Sequence, residues 1–237
     1  MGAVSFSLDE RMLGFFARTL PLQVFLETGT FEGESLRLAC DVFDECHSVE
    51  LSPQLYEAAS RQFAGRAGVH LHLGKSPEIL RAHRDRLASV PVFFWLDAHW
   101  CAAEQTAGAE SQSPLMAELE AIGKLHPQSV VLIDDARLYL CPPPAPHRFA
   151  DWPDFHAILT GLQALSPNHR LMVLNDVILF YPEIMQLEMS LFAHKHGVDW
   201  LVIANDSRRF GPKRRRGPGF VRRTRNRLLL ALGLRKK

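Results

Sequence analysis

The chain has 237 residues, of which 47% are hydrophobic and 22% charged, as is typical of one globular domain with a sizeable core. Of its 27 basic residues, 13 lie in 208–237 and no acid does, which leaves 14 basic and 26 acidic residues in 1–207, a net charge of −12. The four cysteines form no Cys-x-x-Cys pair, so a zinc site or a disulfide framework is disfavoured. No membrane span or secretory signal is apparent, and we therefore expect a cytoplasmic protein with a body, 1–207, and a basic C-terminal tail, 208–237.

Apolar runs alternate with amphipathic segments along the body. This alternation predicts an α/β fold with a parallel sheet between helices, and a late hairpin about Asn175-Asp176 predicts an antiparallel addition at one edge. In chain order, the predicted elements are helix 7–19 capped by Ser7, strand 24–27, helix 35–43, strand 45–50, helix 53–63 capped by Ser52, strand 69–73, helix 77–87, strand 91–96, helix 114–125, strand 129–133, helix 152–165, and strands 171–175 and 177–181.

The turn after the first predicted strand is rich in glycine and in acid. The strand ends at Glu27, and Gly29 and Gly33 follow, where glycine would let the backbone approach a ligand closely. The second strand ends at Glu50, whose carboxylate can accept both hydroxyls of a ribose. A dinucleotide site uses Gly-x-Gly-x-x-Gly to seat a pyrophosphate, which an acidic turn would repel. The pattern therefore favours a positively charged adenosine ligand, such as S-adenosylmethionine, and disfavours a nucleotide-dependent dehydrogenase.

Acids also follow the fourth and fifth predicted strands. Asp97 and His99 come after one strand, and Asp134 and Asp135 come after the next. Because neighbouring parallel strands end at the same edge of a sheet, we expect these side chains to converge and to need a cation, a proton or a basic partner. Three carboxylates suit Mg²⁺, Mn²⁺ or Ca²⁺, with His99 as a proton acceptor. The alternative is structural: acids that cap turns, and a solvated histidine.

Two further features have a functional and a structural interpretation each. Ser76, after the third strand, could line an adenine pocket, cap the following helix, or do both. The loops 101–113 and 141–153 follow strands four and five, where open α/β sheets bind ligands, and they are either substrate-covering loops or surface insertions.

Together these motifs resemble those of the class I S-adenosylmethionine-dependent methyltransferases. Within that class they are most similar to the branch of macrocin-type sugar O-methyltransferases and cephalosporin-hydroxylase-like proteins. The resemblance covers about residues 20–182. It rests on Glu27-x-Gly29-x-x-x-Gly33, Val49-Glu50, Gly74-x-Ser76, Asp97-x-His99 and Ile133-Asp134-Asp135.

The resemblance implies a Rossmann-like doubly wound sheet, mostly parallel with an antiparallel last strand, and S-adenosylmethionine as cofactor. It also implies cofactor-binding and catalytic roles for the residues at the carboxyl ends of the strands. Glu27, Gly29 and Gly33 would surround the methionine part, Glu50 the ribose and Ser76 the adenine, with Asp97 beside them; Asp97, Asp134 and Asp135 would hold Mg²⁺, and His99 and Asp97 would be catalytic.

We therefore expect an O-methyltransferase that acts on a hydroxyl of a sugar or glycosylated small molecule. The alternative is a non-catalytic methyltransferase-like binding or scaffold protein, targeted by its basic tail. The clusters 213–216 and 222–227 precede an apolar end, 228–234, so the tail could lie on an anionic membrane, bind nucleic acid, or remain solvated. The sequence leaves the oligomeric state open.

Overall fold

The computed structural model describes residues 7–100 and 111–199, and the described residues as far as His196 belong to one unit. The predicted tail and its boundary at 207 lie outside the described residues. Among the described helices, none is long and apolar enough to cross a membrane.

Seven described strands form a single sheet. In chain order they are β1 Val24–Thr28, β2 Glu45–Glu50, β3 Val69–Leu73, β4 Val92–Leu96, β5 Val130–Ile133, β6 His169–Leu174 and β7 Val177–Pro182. Their order across the sheet is β3-β2-β1-β4-β5-β7-β6, parallel from β3 to β5, with β7 antiparallel to both β5 and β6. This topology confirms the predicted Rossmann-like fold with an antiparallel last strand.

Helices cover both faces of the sheet. They are α1 Glu10–Thr19, α2 Glu34–Ala39, α3 Pro53–Gln62, α4 Ser76–Ala82, α5 Arg84–Ser89, α6 Leu115–Ile122, α7 Arg137–Leu140, α8 Phe155–Leu165 and α9 Gln186–His196, with 3₁₀ turns at Phe149–Asp151 and Glu183–Met185. Every residue of β1, β4 and β5 is buried, because central parallel strands are covered on both faces. Alternate residues of β1 therefore enter different cores: Val24 and Leu26 face α6 and α8, and Phe25 faces α1 and α2.

Helix boundaries differ from the prediction where side chains have other partners. Ser7 does not cap α1: Asp9 does, accepting from the Met12 amide at 2.8 Å. The predicted helix 77–87 is divided at His83 into α4 and α5. Ser52 caps α3 as predicted. The sequence analysis missed α9, whose outward positions include exposed leucines and so lack a clear apolar stripe.

The strand register brings the carboxyl ends of the parallel strands together. Thr28 pairs with Leu96, Leu96 pairs with Ile133, and Glu50 pairs with Leu73. The residues that follow these positions share one edge of the sheet, and the candidate functional site lies there.

Candidate functional site

Glu27 is fully buried at the end of β1 and is held by hydroxyls from two other elements. Ser35 of α2 donates to one carboxylate oxygen at 2.5 Å, and Ser48 of β2 donates to the other at 2.6 Å. Since Ser48 uses its proton on Glu27, the Thr30 hydroxyl, 2.5 Å away, donates to Ser48. Burial raises the pKa of Glu27 to about 7, although both hydrogen bonds oppose the shift. Glu27 therefore fixes the loop between β1 and α2 and would accept a cation readily.

Gly29 and Gly33 are needed by this loop for close packing within the protein. Both have a left-handed backbone, with φ of 86° and 71°. A Cβ atom on Gly29 would lie 2.5 Å from the backbone carbonyl oxygen of Asp97, and one on Gly33 would lie 2.9 Å from the Phe63 ring. Close packing within the protein thus requires both glycines, and their predicted approach to a ligand stays a prediction.

Glu50 closes the same loop from the end of β2. Its two carboxylate oxygens accept the Phe31 amide at 2.9 Å and the Ser52 amide at 2.8 Å. Each carboxylate oxygen can accept a second hydrogen bond, so two acceptor positions are left. The role of Glu50 at a ribose, predicted from the sequence, stays a prediction that these two acceptor positions allow.

Ser76 lies at the start of α4 and is buried. Its hydroxyl does not cap the helix, since Lys75 is the N-cap residue and has no side-chain cap bond. The hydroxyl instead donates to Glu118 of α6 at 2.5 Å. The structure therefore contradicts the capping interpretation of Ser76 and adds Glu118, which the sequence analysis did not identify.

The acids after β4 and β5 converge on His99, as the strand order predicted. The His99 side chain is 6% exposed, with Nδ1 3.3 Å from Asp97 and Nε2 2.8 Å from Asp135. Both ring nitrogens thus face a carboxylate oxygen. This arrangement favours the protonated imidazole, which carries an N–H at each ring nitrogen.

The charges within the cluster shift each other's pKa. Burial opposes the imidazolium, but the hydrogen bond to Asp135 and the charges of the acids raise the pKa of His99 to about 9. Burial also acts against ionised Asp135, yet His99 and Arg137 lower its pKa to about 2. At neutral pH, His99 and Asp135 therefore form an ion pair.

Asp97 and Asp134 are the members of the cluster with raised pKa values. Burial and then the charge of Asp134 raise the pKa of Asp97 well above its usual value. Burial and the charge of Asp135 raise the pKa of Asp134 to about 6, against a hydrogen bond from Ser7 at 2.7 Å. Ser7, predicted to cap the first helix, thus belongs to the site instead.

Arg137, which was not predicted as a site residue, provides a second positive charge. It lies at the start of α7 and donates to Asp135 and to Asp176, the buried acid of the turn between β6 and β7. Asp135 has a left-handed backbone, with φ of 56°, which aims it back at both cations. The hairpin predicted at Asn175-Asp176 therefore supports the site as well as the sheet.

The fit of Mg²⁺ to the predicted ligands can be judged from these contacts. Three carboxylates are a suitable oxygen donor set, but Asp97 and Asp135 already face His99, and Asp135 also faces Arg137. Within 7–100 and 111–199, no group of three or more His, Cys, Asp or Glu side chains has the arrangement of a metal site. The acids do converge, but side chains provide their counter-charge, and the arrangement does not fit a divalent cation.

An aromatic cluster that follows β5 packs against His99 through Trp152. The Trp152 ring is centred 5.7 Å from His99 and 5.2 Å from Tyr139, and His147 lies 5.3 Å from Trp152. Gln112 joins the two loops, since its side-chain oxygen accepts from the Arg148 amide at 2.6 Å and from Trp152 at 3.2 Å. The described parts of the two loops are therefore joined beside the cluster, and a role in covering a substrate stays a prediction; 101–110 lies outside the described residues.

Comparisons by sequence and by structure give different results. No protein-family model matches the chain, and no curated protein sequence matches it. Among solved structures, an O-methyltransferase from Bacillus cereus in complex with S-adenosylhomocysteine is 16% identical, with 75% of this chain and 84% of that one covered and a TM-score of 0.50. A candidate methyltransferase from Streptococcus mutans, also bound to S-adenosylhomocysteine, is 10% identical, with 73% and 96% covered and a TM-score of 0.52.

A candidate rRNA methylase from Clostridium thermocellum is similar in structure as well. It is 7% identical, with 73% of this chain and 95% of that one covered and a TM-score of 0.51. The chain therefore has the fold of S-adenosylmethionine-dependent methyltransferases. Identities this low establish the fold alone, and proteins with different described acceptors share it.

Proposed function

We propose that this chain is an S-adenosylmethionine-dependent O-methyltransferase. The observation that carries the proposal is the row of polar groups on adjacent strand ends: buried Glu27 on β1, Glu50 with two acceptor positions on β2, and Ser76 after β3. In an open α/β sheet this edge is where ligands bind. The same fold carries S-adenosylhomocysteine in the Bacillus cereus structure.

The residues fit the cofactor by its chemistry. Glu50 offers acceptors to the ribose hydroxyls, Ser76 lies where the adenine would extend, and Glu27, with Gly29 and Gly33, shapes an acidic loop for the cationic methionine part. Asp97 lies against this loop through the close approach of its backbone to Gly29. When bound, the cofactor supplies a methyl group on a positively charged sulfur.

Asp97 is the group best placed to receive the proton of an acceptor hydroxyl. Its side chain is 32% exposed, against 6% for His99. His99 is already protonated between Asp97 and Asp135, so it cannot take a further proton. In this proposal His99 positions Asp97, and Asp97 replaces it as the base. Asp97 would take the proton of the acceptor hydroxyl as that oxygen receives the methyl group that the bound cofactor would supply.

We propose that His99, rather than Mg²⁺, provides positive charge among the acids. The contacts of His99 with Asp97 and Asp135, and of Arg137 with Asp135, support this assignment. Metal assistance, predicted from the sequence, has no role in the steps above. Thermal melting with Mg²⁺ tests it, as described in the Discussion.

For the acceptor we propose a hydroxyl of a sugar or glycosylated small molecule. The similarity of the strand-end motifs to macrocin-type sugar O-methyltransferases supports this choice, as does the half-buried His147 ring in the loop after β5, which could stack on the apolar face of a sugar. Methyl transfer to a panel of sugars and glycosides, measured with radiolabelled S-adenosylmethionine, would test the class. Transfer to RNA alone would reject it.

Calorimetry with S-adenosylhomocysteine tests the cofactor site. We expect micromolar binding to the wild type and a loss of about 1.5–3 kcal/mol in Glu50→Ala, because charge-assisted hydrogen bonds to ribose have that size. Glu57→Ala, the same change on the exposed surface of α3, is the matched control and should bind as the wild type does. Unchanged affinity in a folded Glu50→Ala protein would reject the ribose assignment, and no binding to wild type would favour a non-catalytic scaffold.

We further propose that 208–237 is a separable basic tail that holds a cytoplasmic protein at an anionic membrane. Its composition supports this: 13 basic residues, no acid and an apolar end, 228–234. Removal of 208–237 should abolish binding to phosphatidylserine vesicles and leave S-adenosylhomocysteine affinity unchanged. Binding of the full-length protein to RNA but not to vesicles would assign the tail to nucleic acid.

A further inference from the structure

Glu118 is a buried acid with no place in the steps described above. It lies on α6 and is 1% exposed. Its carboxylate accepts the Ser76 hydroxyl at 2.5 Å and also the Thr28 hydroxyl. It therefore joins residues from the ends of β1 and β3, the two strands on either side of β2.

The Thr28 contact indicates how the protons in this group are arranged. The Asp97 backbone amide donates to the Thr28 hydroxyl oxygen at 3.3 Å. Thr28 therefore accepts from Asp97 and directs its own proton to Glu118. Burial raises the pKa of Glu118, and the hydrogen bonds from Ser76 and Thr28 act against this shift, as expected where both hydroxyls donate to the ionised carboxylate.

The same arrangement fixes the polarity of Ser76. A serine hydroxyl has one proton and two lone pairs, and here the proton is used on Glu118. Only the lone pairs remain for a ligand. Ser76 can therefore accept a hydrogen bond from bound adenine but cannot donate one.

We propose that Glu118 is a positioning residue that makes the site specific for adenine. It does so by holding Ser76 as an acceptor for the exocyclic amino group. This inference rests on the proposed cofactor site. In hypoxanthine a carbonyl oxygen replaces that amino group, and it would face the lone pairs of Ser76 without a proton between them, an unfavourable contact in a buried site.

The test compares two ligands that differ at this group: S-adenosylhomocysteine and its deaminated analogue, S-inosylhomocysteine. By calorimetry, wild type should bind the adenine ligand at least roughly tenfold more tightly, the size of one hydrogen bond gained or left unmade. Glu118→Gln should reduce this ratio to within about threefold, because a Gln amide can donate to Ser76 and free its proton for a carbonyl. Glu120→Gln, the same change on the exposed side of α6, should keep the wild-type ratio.

Ser76→Ala is the second variant, and it decides the matter if Glu118→Gln does not fold. It removes the hydroxyl and should also lose the preference. S-adenosylhomocysteine binding with the preference retained in either folded variant would overturn the role of Glu118 and leave the cofactor site intact. Failure of wild type to bind S-adenosylhomocysteine at all would instead overturn the proposed function, and the role of Glu118 with it.

Discussion

Two histidine environments at different places on the sheet show opposite electrostatic behaviour. His99, after β4, lies between Asp97 and Asp135. His47, on β2, stacks on His70 and His72 of β3 at ring distances of 4.7 and 5.2 Å, and His83 lies 5.8 Å away. The neighbours of His99 are therefore carboxylates, whereas the neighbours of His47 are mainly other imidazole rings.

The pKa values diverge accordingly. Burial lowers the pKa of His72 to about 4, and the positive charges that His47, His83 and His70 would carry lower it further. Burial also lowers the pKa of His47, although Glu45, itself paired with Arg86, hydrogen-bonds to it at 2.8 Å. Burial acts in the same direction on His99, but its carboxylate neighbours raise its pKa to about 9.

The comparison shows that burial alone does not decide the charge of a histidine in this protein. Burial disfavours the charged ring in both places, and the sign of the net shift follows the neighbouring side chains. His99 serves as a fixed cation, whereas lowered pKa values keep His47 and His72 neutral at pH 7, with the His47 Nδ1 and His72 Nε2 atoms 3.0 Å apart.

His99→Gln is expected to have the largest effect. It leaves Asp97 and Asp135 without the cation between them, and loss of one partner of a buried ion pair costs on the order of 3 kcal/mol of unfolding free energy. Urea unfolding at pH 7 measures it. His156→Gln, the same change at an exposed position of α8, should cost less than about 0.5 kcal/mol. A loss of under about 1 kcal/mol in His99→Gln would show that the acids do not need this cation.

The dependence of stability on pH above neutrality tests whether His99 is the cation between the acids. Because the folded pKa of His99, about 9, exceeds the ordinary value of 6.5, its contribution is complete below pH 6.5 and declines as the pH rises through 9. The stability difference between wild type and His99→Gln should therefore shrink from pH 6.5 to pH 10. A constant difference over this range would contradict the raised pKa.

Asp135→Asn tests whether the acids cause the raised pKa of His99. Asn tolerates the left-handed backbone of this position, so the fold should be kept. Removal of the charge should lower the pKa of His99 by about 1–2 units, as measured by NMR titration of the ring protons. Asp85→Asn, at an exposed position of α5, should leave it unchanged. No change in Asp135→Asn would assign the shift to another cause.

His72→Gln tests the opposite environment. The folded pKa of His72, about 4, lies below the ordinary 6.5, so the unfolded chain binds more protons between these values and stability falls as the pH falls from 6.5 towards 4. The variant should lose less stability than wild type over this range, by about 1 kcal/mol. Urea unfolding at pH 7 and pH 4.5 measures the difference. Equal losses in both proteins would show that the stack carries no such linkage.

The smallest effect is expected from Mg²⁺. If His99 and Arg137 neutralise the acids, melting temperatures in EDTA and in excess Mg²⁺ should agree within about 1 °C, since a ligand stabilises only a state that binds it. S-adenosylmethionine should be present in both samples. A stabilising shift in wild type that is absent from Asp134→Ala would restore the predicted metal site.

Local sequence determined the elements and much of the site. Strands β2 and β3 have the predicted bounds, because turn residues on either side delimit short segments that a sheet can take up. The convergence of Asp97, Asp134 and Asp135 was also predictable, since carboxyl ends of adjacent parallel strands meet at one edge. The Ser52 cap and the turn at Asn175-Asp176 depend on residues next to each other in the chain, and both were predicted.

Only the tertiary structure decided which partners these residues have. Ser7 and Asp134 are 127 positions apart in the chain, and Ser76 and Glu118 are 42 apart, so no local pattern relates them. The charge of His99 likewise depends on acids that follow two different strands. The contact of Arg137 with the buried Asp176 also joins residues that are far apart in the chain. The sequence places acids at a strand end through local spacing, but their protonation and hydrogen-bond polarity depend on side chains that folding brings from elsewhere in the chain.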